Sequence, residues 1–200
     1  MRSKTEHTRH KIVEAAYECF WRSGFARTSV DSIAAQAGVT KRTLYSYYRS
    51  KDDLLAAVLT RYNEPATERL QRISGRMPPD LDGMIISFFT QLAGWASSTP
   101  RWTGSGFTRL VVELADLPGH PAHAIARRAK ATSETWLTNL LSARRVSQAH
   151  DRAREMLLLM EGAMALTLIH RDRGYIDAAA RAAKYLIKRG RRRTSHKRAG

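Results

Sequence analysis

Ser29-Val30-Asp31-Ser32-Ile33-Ala34-Ala35-Gln36-Ala37-Gly38-Val39-Thr40-Lys41-Arg42-Thr43-Leu44-Tyr45-Ser46-Tyr47-Tyr48 reads as two short helices joined by a glycine turn. Ser29 can cap the first, and Asp31 places a carboxylate in its first turn, where the helix dipole favours it. Val30, Ile33, Ala34 and Ala37 fall on one side, and Gly38 supplies the stop. Thr40 can cap the second helix, Lys41 to about Tyr48, with Leu44 and Tyr48 inward. The pair is a helix-turn-helix. Ala34, Ala35 and Ala37 give the second helix room to cross the first, and Gly38 tolerates the turn's dihedrals. Seated in a DNA major groove, such a second helix needs a polar, basic outer face, and Thr40, Lys41, Arg42 and Thr43 provide one. An arginine there pairs bidentately with guanine O6 and N7, worth about 1–3 kcal/mol of discrimination. Hydroxyls at Thr28, Thr43, Tyr45 and Tyr47 are candidate phosphate contacts, which fix register rather than sequence, and the cap residue Ser29 counts with them among the candidate DNA-binding residues. Lys51, at the start of the next helix, adds positive charge where backbone N–H groups also favour a phosphate.

Working outward, residues 9–23 place Ile12, Ala16 and Phe20 four apart with Val13 and Tyr17 beside them, and Lys11, Glu14, Glu18 and Arg22 opposite, the stripe of an amphipathic helix. Gly24 ends it. Ser50-Lys51-Asp52-Asp53 resembles a capping box and opens a helix with Leu54, Leu55, Val58 and Leu59 inward. Pro78-Pro79 breaks the pattern. Beyond it, periodicity predicts helices over about 81–97, 104–116, 121–145, 151–171 and 176–189. No sustained alternation marks a strand. The fold class expected is all-α, about nine helices: a three-helix head and a larger helical body. The boundaries expected are a DNA-binding domain over 1–50, a connecting helix over 51–76, a ligand-binding and dimerisation domain over 77–189, and a disordered basic tail over 190–200.

The run from Gly38 to Leu55 resembles the signature of the TetR family of bacterial regulators, roughly G-V-S-x-x-T-L-Y-x-H-F-x-S-K-E-E-L. Ile12, Ala15-Ala16, Phe20, Gly24-Phe25, Thr28-Ser29, Ile33-Ala34 and Ala37-Gly38 match the family's first two helices. The likeness covers about residues 9–59. It departs at Tyr47, where histidine is usual and contacts phosphate; tyrosine can still donate a hydrogen bond. The resemblance implies a homodimer on a pseudo-palindromic double-stranded DNA operator, a small-molecule effector held in the body, and a four-helix bundle at the two-fold axis built from the last two helices. Met156, Leu157, Leu159, Met160, Met164 and Leu168, with Ile176, Ala179, Ala183, Leu186 and Ile187, give those helices the wide apolar faces such a bundle needs. The function expected is a sequence-specific transcription regulator, a repressor released by its ligand, with an activator the less usual variant.

The aromatic residues of 81–136 read either as core or as pocket lining. With the resemblance, Phe88, Trp95, Trp102 and Phe107, together with Met160 and Met164, are the candidate ligand-binding residues. Arg109 and Glu113, four apart, read as a solvated pair before a ligand clamp, and Glu113 as a structural residue. His120 and His123 flank Pro121 at a spacing a metal could use, but no cysteine lies near, and neither metal nor cofactor is expected. His7 and His10, beside Lys4 and Arg9, read as a solvated face. Cys19 lies on the apolar side of its helix and reads as an inert core thiol.

Of 200 residues, 34 are Lys or Arg and 18 are Asp or Glu, for a net charge of +16. That excess favours a polyanionic partner. The last 13 residues alone carry +7, so the folded part is less basic than the total suggests. The N-terminus lacks a signal-like apolar segment, no apolar run reaches membrane-spanning length, and one cysteine cannot form an internal disulfide, so a cytoplasmic protein is expected. No Gly-rich phosphate loop, G-x-S-x-G or H-E-x-x-H motif is present, and no catalytic residue is assigned. Three alternatives stay open at this level: an architectural DNA-binding protein driven by its basic tail, a helical enzyme or carrier that keeps a DNA-binding head, and a basic protein attached to an anionic membrane.

Overall fold

The computed structural model describes the backbone of residues 4–98 and 106–196, and the side chains of residues 4–61, 73–94 and 108–188. Nine helices and no strand lie among the described residues: α1 (Lys4–Ser23), α2 (Val30–Ala37), α3 (Lys41–Tyr47), α4 (Lys51–Gly75), α5 (Leu81–Ser98), α6 (Gly106–Val112), α7 (Pro121–Ser142), α8 (Ala149–His170) and α9 (Gly174–His196). The all-α architecture expected from the periodicity is the one observed. The chain forms two compact units, one of residues 1–66 with 106–129, the other of 67–105 with 130–200.

The first unit is built on α1, which buries Ile12, Val13, Ala15, Ala16, Cys19 and Phe20 along one face. Against them pack Ile33, Ala34 and Ala37 of α2, Leu44 of α3, Leu54, Leu55, Val58 and Leu59 of α4, and Leu110, Leu114, Ala122 and Ile125 from the 106–129 segment. The starts of α2, α3 and α4 are each capped by the residue that precedes them. Ser29 Oγ accepts from Ser32 N at 3.0 Å, Thr40 Oγ1 from Thr43 N at 3.0 Å, and Ser50 Oγ from Asp53 N at 3.0 Å. Gly38 adopts φ +66° after α2. Its N–H reaches Ala35 O at 3.1 Å and that of Val39 reaches Ala34 O at 3.0 Å, closing the helix end.

The second unit has its own core, with Met84, Ile85, Phe88 and Phe89 of α5, Leu137 and Leu141 of α7, Ala153, Met156 and Ala163 of α8, and Ile176, Ala179, Ala183 and Ile187 of α9. Asp80 caps α5 through Gly83 N at 2.7 Å, just after the Pro78-Pro79 break.

Three helices end where the sequence pattern did not place them. α6 stops at Val112 rather than near residue 116, because the chain tightens into i→i+3 turns: Leu114 N bonds Val111 O and Ala115 N bonds Val112 O, both at 3.1 Å. α7 stops at Ser142 rather than 145; Arg144 N and Arg145 N turn back to Leu141 O and Ser142 O, and Arg145 takes φ +56°. α9 continues to His196, into the stretch expected as a tail, since Arg and Lys are good helix formers and no proline intervenes. No described helix is long and apolar enough to cross a membrane.

Candidate nucleic-acid interface

The recognition helix α3 is only seven residues long, so its ends decide its stability. Thr40 caps its start, and its hydroxyl also lies 2.8 Å from that of Thr43. At the far end, Tyr48 N bonds Leu44 O at 3.0 Å. Leu44 is fully buried and Tyr48 nearly so, which fixes the helix's roll and turns Lys41, Arg42 and Tyr45 outward. Tyr45 is 44% exposed, unusually much for so large an aromatic ring. Thr43 and Tyr47 are half-buried at the edges of that face. Lys41 Nζ lies 3.0 Å from Asp31 Oδ2, tying α3 to α2; the hydrogen bond to that carboxylate, followed by its charge, raises the lysine above its ordinary range. The exposed surface of α3 thus carries one cation held by an ion pair, Lys41, and a second, Arg42, that has no ion-pair partner among the described residues.

Two of the expected phosphate contacts, Thr28 and Lys51, have hydrogen-bond partners within the protein itself. Thr28 is 4% exposed, and its hydroxyl donates inward to Gly24 O at 2.6 Å and Cys19 O at 3.2 Å. Its side chain locks the turn after α1 and is not presented to a ligand. Lys51 is half-buried; its ammonium donates to Phe25 O at 3.0 Å and Thr28 O at 3.2 Å and stands 4.2 Å from the centre of the Phe25 ring. Two of its three donors are therefore spent on the protein's own backbone. Ser29 is exposed, but its hydroxyl is engaged as the α2 cap.

Other positions carry structure that no local pattern announces. Arg9 of α1 lies 6.0 Å from the centre of the Tyr48 ring, and burial, partly opposed by this guanidinium, pushes the Tyr48 hydroxyl up. Arg27 and Arg49, just outside α2 and α3, are exposed cations beside the helix-turn-helix. Proximity of Lys or Arg to the motif in sequence was the only signal for them. Cys19 is buried, as expected of a core thiol. It also donates to Gln36 Oε1 at 3.2 Å, and burial raises its pKa.

In the 106–129 segment, Arg109 and Glu113 form the expected pair, with Nε 3.6 Å from Oε1 and both side chains partly exposed, and each also bonds the end of α1 or the turn after it. Glu113 Oε2 accepts from Phe25 N at 2.7 Å and faces Ala26 N at 3.5 Å, while Arg109 Nη1 donates to Trp21 O at 3.2 Å. His120 Nδ1 accepts from Ala122 N at 3.1 Å, capping α7, and a ring nitrogen of His123 lies 2.8 Å from Leu114 O, so both histidines serve the local turn.

In the second unit, Phe88 is buried with its ring edge-on to Phe89 at 5.1 Å and 6.2 Å from Trp136. Trp136 donates to Ser74 Oγ at 2.7 Å and lines a groove of about 410 Å³ with Ala131, Thr132, Thr135 and Asn139. Met164 is buried and Met160 half-buried on α8. Trp102 and the side chains of Trp95 and Phe107 lie outside the described residues.

Residues 12–58 match the family model described as bacterial regulatory proteins, tetR family. Over 63 residues the chain is 36% identical to the HTH-type transcriptional regulator TtgR of Pseudomonas putida, a stretch covering 32% of this chain and 30% of that protein. Over 54 residues it is 44% identical to the HTH-type transcriptional repressor SCO4008 of Streptomyces coelicolor, covering 27% and 28%. The chain thus spans under a third of the length of these curated relatives. Similar solved structures extend the likeness in fold. SCO4454, a TetR-family regulator from Streptomyces coelicolor, superposes with a TM-score of 0.80 at 22% identity over 92% of this chain and 96% of its own. A putative TetR-type regulator from Streptomyces avermitilis gives 0.72 at 25% identity, over 88% and 98%. Residues 12–58 thus match the helix-turn-helix head of the TetR family of bacterial regulatory proteins, and the fold is similar to that of solved TetR-family regulators.

Proposed function

We propose that the chain is a homodimeric, sequence-specific DNA-binding regulator that represses transcription and is released from its operator by a small molecule held in the second unit. The observation that carries this reading is the outer face of α3, where a Thr40-capped, Leu44-anchored helix presents Arg42, Tyr45, Lys41 and Thr43 together. Arg42 is the base reader in this scheme, since a planar guanidinium fits guanine in the major groove. Thr43, Tyr45 and Tyr47 contact phosphates from the edges of α3, and Ser29 from the start of α2. Thr28 and Lys51 contribute chiefly by holding the turn that leads into α2. That SCO4008 is called a repressor supports repression over activation. The aromatic group of Phe88 and Trp136, with the groove beside Trp136, is the proposed neighbourhood of the effector.

In vitro selection from random duplexes by the purified chain tests the reading. A pseudo-palindromic consensus with two half-sites one helical turn or a multiple apart is the expected result, as befits two heads related by a two-fold axis. Enrichment of no sequence over the starting pool would overturn it and favour a general, charge-driven DNA binder.

A further inference from the structure

The turn between α1 and α2 holds its polar groups with unusual completeness. Gly24 O and Cys19 O take the Thr28 hydroxyl, and Phe25 O and Thr28 O take the Lys51 ammonium. The N–H groups of Phe25 and Ala26 point in one direction and form a small anion-binding nest. Its occupant is the carboxylate of Glu113, 87 or 88 residues away in sequence. The approach depends on Gly24: it sits at φ +81°, and a Cβ there would lie 2.7 Å from both carboxylate oxygens. Arg109 braces the same carboxylate, with Nε 3.6 Å from Oε1, and donates to Trp21 O near the end of α1.

A second grip lies on the other side of the helix-turn-helix. Because His120 Nδ1 accepts the Ala122 N–H, the neutral ring carries its proton on Nε2. That nitrogen is buried, makes no hydrogen bond among the described residues, and faces Asp52 Oδ1 in the first turn of α4 at 3.5 Å, within ion-pair range. The ring also meets Phe25 edge-on at 5.6 Å. The segment 109–120 therefore holds the chain just before α2 and just after α3.

We propose that Arg109, Glu113 and His120 are positioning residues for DNA recognition: they clamp the Gly24–Thr28 turn and the start of α4, and so set the pose of the α2–α3 pair between them. This rests on the DNA-binding function proposed above. None of the three belongs to the exposed face of α3, so their loss acts on the pose of the reading residues and not on the reading residues themselves.

The test compares wild type with Glu113→Ala, Glu113→Gln and His120→Asn in the full-length chain. It measures melting temperature, affinity for the duplex selected by the wild type, affinity for a random duplex of equal length, and amide exchange at Phe25 and Ala26. Glu113→Ala is expected to weaken binding to the selected duplex about tenfold, the worth of a charged hydrogen bond, while random-duplex affinity stays within about twofold. Exchange at Phe25 and Ala26 rises with it. Glu113→Gln keeps an acceptor oxygen and recovers most of the loss. Unchanged preference for the selected duplex in Glu113→Ala, or a parallel fall on both duplexes, would overturn the clamp. Should Glu113→Ala melt below the assay temperature, His120→Asn decides, because asparagine keeps the α7 cap but withdraws from Asp52. A drop of about threefold in selective binding supports the proposal, and none overturns it. If the wild type itself shows no sequence preference, the DNA-binding reading falls and the clamp with it. A wild-type preference that the variants retain removes the clamp alone.

Discussion

Phe25 is gripped at both of its backbone polar groups and at its ring, by Glu113, Lys51 and His120 respectively. Lys51 therefore has a structural duty that a lysine beside a recognition helix does not usually suggest. Replacing it with methionine keeps the stem's packing but removes two charge-assisted hydrogen bonds and the cation over the ring. The expected cost is about 1–3 kcal/mol of stability, seen as a lower melting temperature without DNA present. A melting temperature equal to that of the wild type would return Lys51 to a purely DNA-facing role. Arg42→Ala should do the opposite: leave stability unchanged and flatten discrimination among duplexes, with a loss of about 1–3 kcal/mol at a guanine position of the selected site. What sequence displays at this scale is local chemistry. The caps Ser29, Thr40 and Ser50 were legible because each bonds an N–H three residues ahead. The duties of Thr28, Lys51 and Glu113 were not, because nothing in a one-dimensional pattern says that a lysine reaches back 23 and 26 residues or a glutamate 88.

At the scale of elements, short helices stand or fall by their ends. α2 and α3 have eight and seven residues, too few to persist on propensity alone. Thr40→Ala removes the α3 cap and should cost about 1 kcal/mol, with faster amide exchange at Thr43 than in the wild type. Gly38→Ala meets no neighbouring atom, so any penalty comes from φ +66° alone, about 1 kcal/mol or more. A neutral Gly38→Ala would mean that the turn relaxes out of the left-handed region. Between α5 and α9 an ion-pair cluster accompanies the shared apolar core. Asp82 receives Lys188 and Lys184, and the Lys188 hydrogen bond, reinforced by Lys184, holds its carboxyl below the ordinary aspartate range. A depressed carboxylate stabilises the fold above its unfolded pKa and loses that contribution as pH falls through the folded value. Asp82→Asn should therefore lower the melting temperature slightly near neutral pH, since the pair is largely exposed, and the gap should close in acid. A gap that widens on acidification would contradict the assignment. The helix ends that the periodicity misplaced, at Val112 and Ser142, fall where i→i+3 turns replace the α pattern without any proline or glycine at the spot to mark the change.

For the whole molecule, the decisive feature is a helix with two apolar faces. One face of α8 is spent on the core through Ala153, Met156, Ala163 and Met164. Another leaves Leu158 74%, Leu166 39% and Ile169 69% exposed, with Gly162 and Ala165 between them at spacings of three and four residues. On α9, Ala178 and Tyr185 are exposed, Tyr185 at 64%, beside half-buried Ala182. A helix apolar on both sides needs a second cover, and small residues along such a stripe let another helix approach closely. In the homodimer proposed above a second copy of the chain supplies that cover, because a two-fold axis brings the same patch onto itself. The double substitution Leu158→Arg with Ile169→Arg should then yield a monomer in sedimentation equilibrium at concentrations where the wild type is a dimer. The single heads should still touch DNA, but the footprint should shrink to one half-site and affinity for the full selected duplex should fall steeply, since two linked heads bind with an effective concentration that one head lacks. A variant that stays dimeric would move the interface off α8. A monomer that still protects both half-sites would break the link between dimerisation and operator length on which the regulatory reading depends.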